Sequence, residues 1–156
     1  VDNPATHTPC KDLPNVNEMT WYAAKGDPRR DADELWTTMG HLYKDGMWFK
    51  KKSQISGYNS NTAYDGSDWR TTSKNQSWYA SNTLPSAADA NNYFYLPTLG
   101  YYYYNNLLSV GGYVYYWSSS ANPSYSVSAY YLYFYSGNVI VSFGSRRYGF
   151  RAEALQ

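Results

Sequence analysis

The sequence predicts an α+β domain. Two amphipathic helical patterns occupy residues 15–46, and alternating strand patterns fill much of 93–153. The stretch between them, 53–92, keeps neither period yet carries aromatic residues spaced through it. Helices first and strands later, without β-α-β alternation, point to segregated layers rather than a parallel sheet. At 156 residues the chain falls within the size of one domain, and 1–156 is read as a single unit.

Taken in order, "LPNVNEMTWYAAKG" reads as the first helix. Asn15 is a good N-cap and Glu18 completes a capping box, so each side chain satisfies a backbone N–H that the helix itself cannot. Met19, Tyr22 and Ala23 share a face, and Gly26 is the expected left-handed stop. A second helix is predicted in "DADELWTTMGHLYKDG". Asp31 or Asp33 would cap it, with Ala32, Leu35, Trp36, Met39, Leu42 and Tyr43 as its buried stripe and Gly46 as its end. "MWFKK" is a short strand candidate. From Ser53 to about Asn92, Tyr58, Tyr64, Trp69, Trp78 and Tyr79 stand among Gly, Ser, Asn, Thr and Asp. Disordered linkers are poor in aromatics, so this region reads as a long, folded loop.

"YFYLPTLGY" and "YVYYWSSS" each hold a short strand. In "AYYLYFYSGNVIVSFGSRRYG", Leu132 and Phe134 alternate with Tyr131, Tyr133 and Tyr135. Ser136-Gly137 makes a tight turn, and Val139 and Val141 then oppose Ile140 and Ser142. "GFRAEAL" is a last short strand.

Charge and composition exclude several functions. Formal net charge is +1, which gives no electrostatic footprint for nucleic acid. The run Lys50-Lys51-Lys52 reads as a solvated loop. No apolar run approaches a membrane span, so membrane insertion is not expected. The opening "VDNPATHTPC" has no signal-peptide pattern and looks like a cut inside a longer protein. Cys10 is alone, which rules out an internal disulfide and a cysteine-based zinc site. His7 is a weak candidate base for it, and His41 reads as a boundary residue of the second helix. No nucleophile elbow, phosphate loop or zinc-protease motif occurs, so no catalytic residue, metal or cofactor is assigned and an enzyme is not expected.

Tyrosine is the anomaly. Of twenty tyrosines, thirteen follow Gly100, and between Asp89 and Glu153 the only charged side chains are Arg146, Arg147 and Arg151. Tyrosine supplies a large, rigid, amphipathic surface with two torsions to freeze, which is why antibody loops are rich in Tyr, Ser, Gly and Asn. A good strand residue also makes cross-strand ladders, but that accounts for one or two tyrosines per strand and not for Tyr101 to Tyr104 or the clusters at 113–116 and 130–135. An exposed binding face is therefore expected. Tyr131, Tyr133 and Tyr135 would form its centre, with Ile140, Ser142 and Arg146 across the turn. Tyr103, Tyr104, Leu108, Tyr113, Tyr115 and Tyr125 would fold over the same side. Asn105, Val127, Phe143, Ser145 and Tyr148 complete the expected ligand-binding set.

Between Tyr101 and Tyr148 there is no Lys, Glu, Gln or Met, and Trp117 is the single Trp. Those five residues are the ones that codons ending in a pyrimidine cannot encode, as expected if the first two bases of Asn codons were randomised. With "LPN" and Glu18, "LPTLGY" at 96–101, "YYWSSS" at 115–120 and "GFRAE" at 149–153, the chain resembles the C-type-lectin-fold variable proteins of diversity-generating retroelements, ligand-binding domains of the formylglycine-generating-enzyme-like or major-tropism-determinant-like kind. The resemblance runs from residue 13 to 153. It implies a C-type lectin-like fold of two helices packed on small antiparallel sheets with long ordered loops. It also implies a variable segment at about 101–148, with Leu132, Phe134, Val139, Val141, Gly149 and Phe150 as fixed scaffold.

The implied function is a ligand- or receptor-binding module with a hypervariable tyrosine-rich surface, displayed on a phage tail or bacterial cell surface. Its partner would be a protein or glycan receptor on a target cell, and a homo-oligomer is possible. The alternative is a catalytically inactive formylglycine-generating-enzyme-like structural domain. One cysteine instead of a reactive pair argues against that enzyme's activity. "ANPS" at 121–124 lacks the carboxylate or amide before Asn122, and no W-N-D triplet occurs, so no calcium-mediated sugar site is expected.

Overall fold

The computed structural model describes residues 10–156; His7 and the opening segment lie outside them. Among the described residues 44% are in strands and 13% in helical conformation, with one α-helix and three sheets. The expected α+β, C-type lectin-like arrangement of two helices on small sheets is thereby overturned. The fold is dominated by sheet.

Helix α1, Val16–Lys25, starts as the sequence predicts. The Asn15 side chain accepts from the Glu18 N–H at 3.0 Å, and the Glu18 carboxylate accepts from the Asn15 N–H at 2.8 Å. Val16, Met19, Tyr22 and Ala23 are buried against the main sheet. At the far end the left-handed residue is Asp27 (φ 47°), one position after Gly26, whose φ is −78°.

The expected second helix is a β-hairpin, β1 (Arg29–Thr38) and β2 (His41–Lys50). Met39 and Gly40 both take positive φ, 52° and 77°, and form the two-residue turn whose twist suits a hairpin. The predicted stripe of Leu35, Met39 and Leu42 is exposed at 60%, 70% and 65%, so its helical spacing buries nothing. Tertiary pairing decided the outcome. β2 hydrogen-bonds on its other side to β4 (Tyr93–Pro97), which places Met47 and Phe49 in the core, and residues 36–38 are aromatic or β-branched, types that favour strands. Asp31 is no helix cap. It sits in a bulge where Ala32, Asp33 and Glu34 face Asp45, and its carboxylate accepts from the Asp33 and Glu34 N–H groups and from Trp48 Nε1. His41 is exposed at the turn.

The main sheet is antiparallel, in the order β3 (Gln76–Tyr79), β9 (Asn138–Ser145), β8 (Ser128–Tyr135), β7 (Tyr113–Ala121). The predicted turn is present, with Ser136 at φ 41° and Gly137 at 88°. A two-stranded hairpin, β5 (Tyr101–Tyr103) and β6 (Asn106–Leu108), follows β4. "GFRAEAL" is not a strand: Arg151 alone bridges β7, accepting from the Trp117 N–H and donating to the Tyr115 carbonyl.

One core lies between the main sheet, α1 and the inner halves of β2 and β4. Phe134 touches Phe49 (ring centroids 5.8 Å) and Tyr116 (6.1 Å), while Tyr22 meets Phe94 edge-on at 5.6 Å. The long loop is folded down onto α1. Buried Asn17 accepts from the Trp69 N–H (2.9 Å) and donates to Asp68 (2.8 Å), Thr20 accepts from the Tyr64 N–H, and Trp21 donates to the Thr62 carbonyl. β3, which the periodicity reading missed, closes this loop onto β9.

Two carboxylates in the loop make the fold sensitive to acid. The Arg70 guanidinium, with help from Asn17 and the Arg70 N–H, pulls Asp68 down to about 2. Burial works against the ionised form of Asp65, but hydrogen bonds from Ser67, Lys74 and Trp69 outweigh it and hold this carboxyl well below the usual range. Both groups are more acidic folded than unfolded, where aspartate titrates near ~3.9. Their contribution is therefore complete above pH ~4 and is lost as pH falls toward ~2. Thermal melts should show little change between pH 7 and 4 and a steep fall below it. Asp68→Asn should melt lower at pH 7 and fall less steeply; a parallel fall would show that this loop does not set the acid limit.

Candidate functional site

Alternation in the main sheet sorts the second-half tyrosines into two populations. Val114, Tyr116, Tyr130, Leu132, Phe134, Val139 and Val141 face the core, all at 1% exposure or less. Tyr116 and Tyr130 are thus structural: one hydroxyl donates to the Pro97 carbonyl and the other accepts from the Lys74 N–H. On the outer face stand Tyr113, Tyr115 and Trp117 of β7, Tyr131, Tyr133 and Tyr135 of β8, and Ile140 and Ser142 of β9. Tyr133 lies opposite Ile140, and Tyr131 opposite Ser142.

These rings are organised as a stack. Tyr115 lies between Tyr133 (4.3 Å, 9° between planes) and Phe150 (4.3 Å, 15°). Tyr133 continues to Tyr135 at 5.2 Å, and Phe150 to Tyr148 at 5.4 Å. Tyr113 stacks beside the same column against Tyr135 at 5.1 Å. Burial raises the phenol pKa values of Tyr115, Tyr131 and Tyr133, so these three hydroxyls stay protonated throughout the physiological range.

The β5–β6 hairpin leans on one end of this face. Tyr101 meets Tyr115 at 5.1 Å, Tyr103 meets Tyr148 at 5.5 Å, and Tyr102 pairs through backbone with Gly149, where a Cβ would run into the Tyr102 side chain. Tyr104 and Asn105 form the tip, both at positive φ. Between the tip and the 145–148 turn lies a cleft of about 510 Å³, walled by Tyr103, Tyr104 and Asn105 on one side and Ser145, Arg147 and Tyr148 on the other. A second depression of about 340 Å³ adjoins it over Tyr115, Tyr131 and Phe150 and shares Tyr103 and Tyr148. Both fall in the size range of ligand pockets.

Twelve of the expected site residues therefore converge: Tyr113, Tyr115, Tyr131, Tyr133, Tyr135, Ile140 and Ser142 on the face, and Tyr103, Tyr104, Asn105, Ser145 and Tyr148 at the cleft. Five do not. Phe143 has inward parity, stacks on Tyr125 (5.3 Å) and meets Tyr130 edge-on (5.7 Å), so Phe143 and Tyr125 belong to the opposite side of the sheet. Val127 is exposed in the preceding loop, which Arg146 braces by donating to the Val127 and Ser128 carbonyls. Leu108 pairs with Tyr101 away from the cleft. Phe150, expected as scaffold, is the hub of the outer cluster.

Tyr79 was missed. It is 86% exposed and sits opposite Asn138, itself opposite Tyr135, so the outer face extends to β3. A strand reading of "QSWY", with Trp78 inward, would have found it.

Compared with known proteins, the chain matches no family model, no curated protein and no solved structure.

Asn122, the residue nearest in kind to a lectin calcium ligand, is fully buried. Its amide donates to Ser73, and its oxygen accepts from the Ser124 and Tyr125 N–H groups. Among the described residues no group of three metal-ligating side chains is found. Millimolar calcium or EDTA should therefore leave the melting temperature unchanged; a calcium-dependent rise of several degrees would contradict this.

Proposed function

We propose that the chain is a ligand-binding module whose contact surface is the outer face of the main sheet together with the adjoining cleft. The observation that carries this is the sorting of one tyrosine-rich tract by the pleat. Inward positions build the core, while outward positions gather into one aromatic surface far richer in rings than solvent exposure requires. Tyrosine and arginine are the residues that most often anchor interfaces, and the face holds no carboxylate to desolvate.

We further read the tract 101–148 as the variable region of a diversity-generating retroelement protein, displayed on a phage tail or cell surface to engage a receptor. The missing Lys, Glu, Gln and Met, and the outward placement of most tyrosines, support this. The gene supplies the test. A near-identical template repeat beside a reverse transcriptase should carry adenines in the codons for Tyr113, Tyr115, Tyr131, Tyr133 and Tyr135. The codons for Tyr116, Tyr130, Leu132 and Phe134 should be unaltered. Adenines concentrated on the inward set, or no template at all, would reject the variable-protein reading.

A further inference from the structure

We propose that the ligand is a folded protein that seats an aspartate or glutamate side chain in the cleft beside Arg147; this rests on the binding-surface reading above. The first argument is the ring geometry. Tyr133, Tyr115, Phe150 and Tyr148 turn their faces toward one another at 4.3–5.4 Å, so a partner landing on the sheet meets ring edges and hydroxyls. Sugars dock by laying a pyranose against an open aromatic face, and the centre of this surface offers few. A face that presents hydroxyl donors and acceptors at cross-strand spacing suits the mixed polar and apolar surface of a protein.

The second argument is charge. Arg147 is exposed, lines the cleft, and has no carboxylate within 4 Å among the described residues. From 90 to 152 the chain contains no acid at all, so nothing in the tract can neutralise it. Arg146, its neighbour, is committed to the Ser128 carbonyl. The phenols around Arg147 offer hydroxyl hydrogen bonds, and a guanidinium flanked by them matches one carboxylate, held by paired charge-assisted hydrogen bonds. Basic side chains of a partner would meet repulsion there and no compensating acid.

Two display libraries on one small folded scaffold test this with the intact 156-residue chain as bait. They differ only in whether the randomised surface patch admits Asp and Glu or, instead, Asn and Gln. Binders should emerge from the acid library alone. Their affinity should fall roughly tenfold or more with Arg147→Gln, comparably between 50 and 500 mM NaCl, and little with Arg151→Gln, which does not line the cleft. Equal recovery from both libraries, with affinities indifferent to Arg147→Gln but abolished by Tyr133→Ser, would overturn the acidic anchor and leave the binding face standing. Binders indifferent to both substitutions would overturn both readings. Recovery of no protein binder, alongside Arg147-dependent capture of an oligosaccharide on a glycan array, would overturn the protein partner.

Discussion

Phe134→Ala should lower the unfolding free energy by about 3–5 kcal/mol, the range for truncating a buried aromatic ring. Phe134 is 1% exposed, pairs across the strands with Val114 and Val139, and meets Phe49 from the second sheet. It therefore joins the layers, and its removal leaves a cavity between them. Its chain neighbour Tyr133 points the other way. Truncating Tyr133 removes stacking on Tyr115 and Tyr135, each such pair being worth about 0.5–1.5 kcal/mol, and opens a surface gap that water can fill. Urea midpoints for Phe134→Ala and Tyr133→Ala should differ clearly. Equal losses would mean that the outer stack is a second core rather than a face, and would undercut the binding proposal directly.

The second large effect is expected far from any strand. Trp69→Ala should also cost about 3–5 kcal/mol. Trp69 is 1% exposed in a region without regular structure, and its N–H is held by the Asn17 side chain inside the first turns of α1. The loop is thus a structural layer that happens to lack repeating hydrogen bonds. Denaturant unfolding should remain a single transition for Trp69→Ala, shifted to lower urea. A loss below about 1 kcal/mol would show that the loop lies on the core without contributing to it.

Local signals were sufficient where the interaction they encode is itself local. The capping box of α1 joins residues three apart, the Ser136-Gly137 turn needs only its own two residues, and β8 and β9 alternate cleanly because one face of each is buried. For the same reason the inward set of Leu132, Phe134, Val139 and Val141, and the outward set of Tyr131, Tyr133 and Tyr135, were legible in advance. Residues 29–50 were not. Leu35, Met39 and Leu42 fall at helical spacing, but whether that segment coils or extends depends on β4, whose pairing edge lies some fifty residues away and leaves no trace in local periodicity. The same limit explains the site. Tyr116 and Tyr131 are alike in sequence until register assigns each to a face. Tyr79 joins the surface only because β3 pairs with β9 across about sixty residues. The sequence by itself determined that tyrosine would be sorted by the pleat; which tyrosines face outward was decided by long-range strand pairing, because a shift of one residue in register exchanges the two faces.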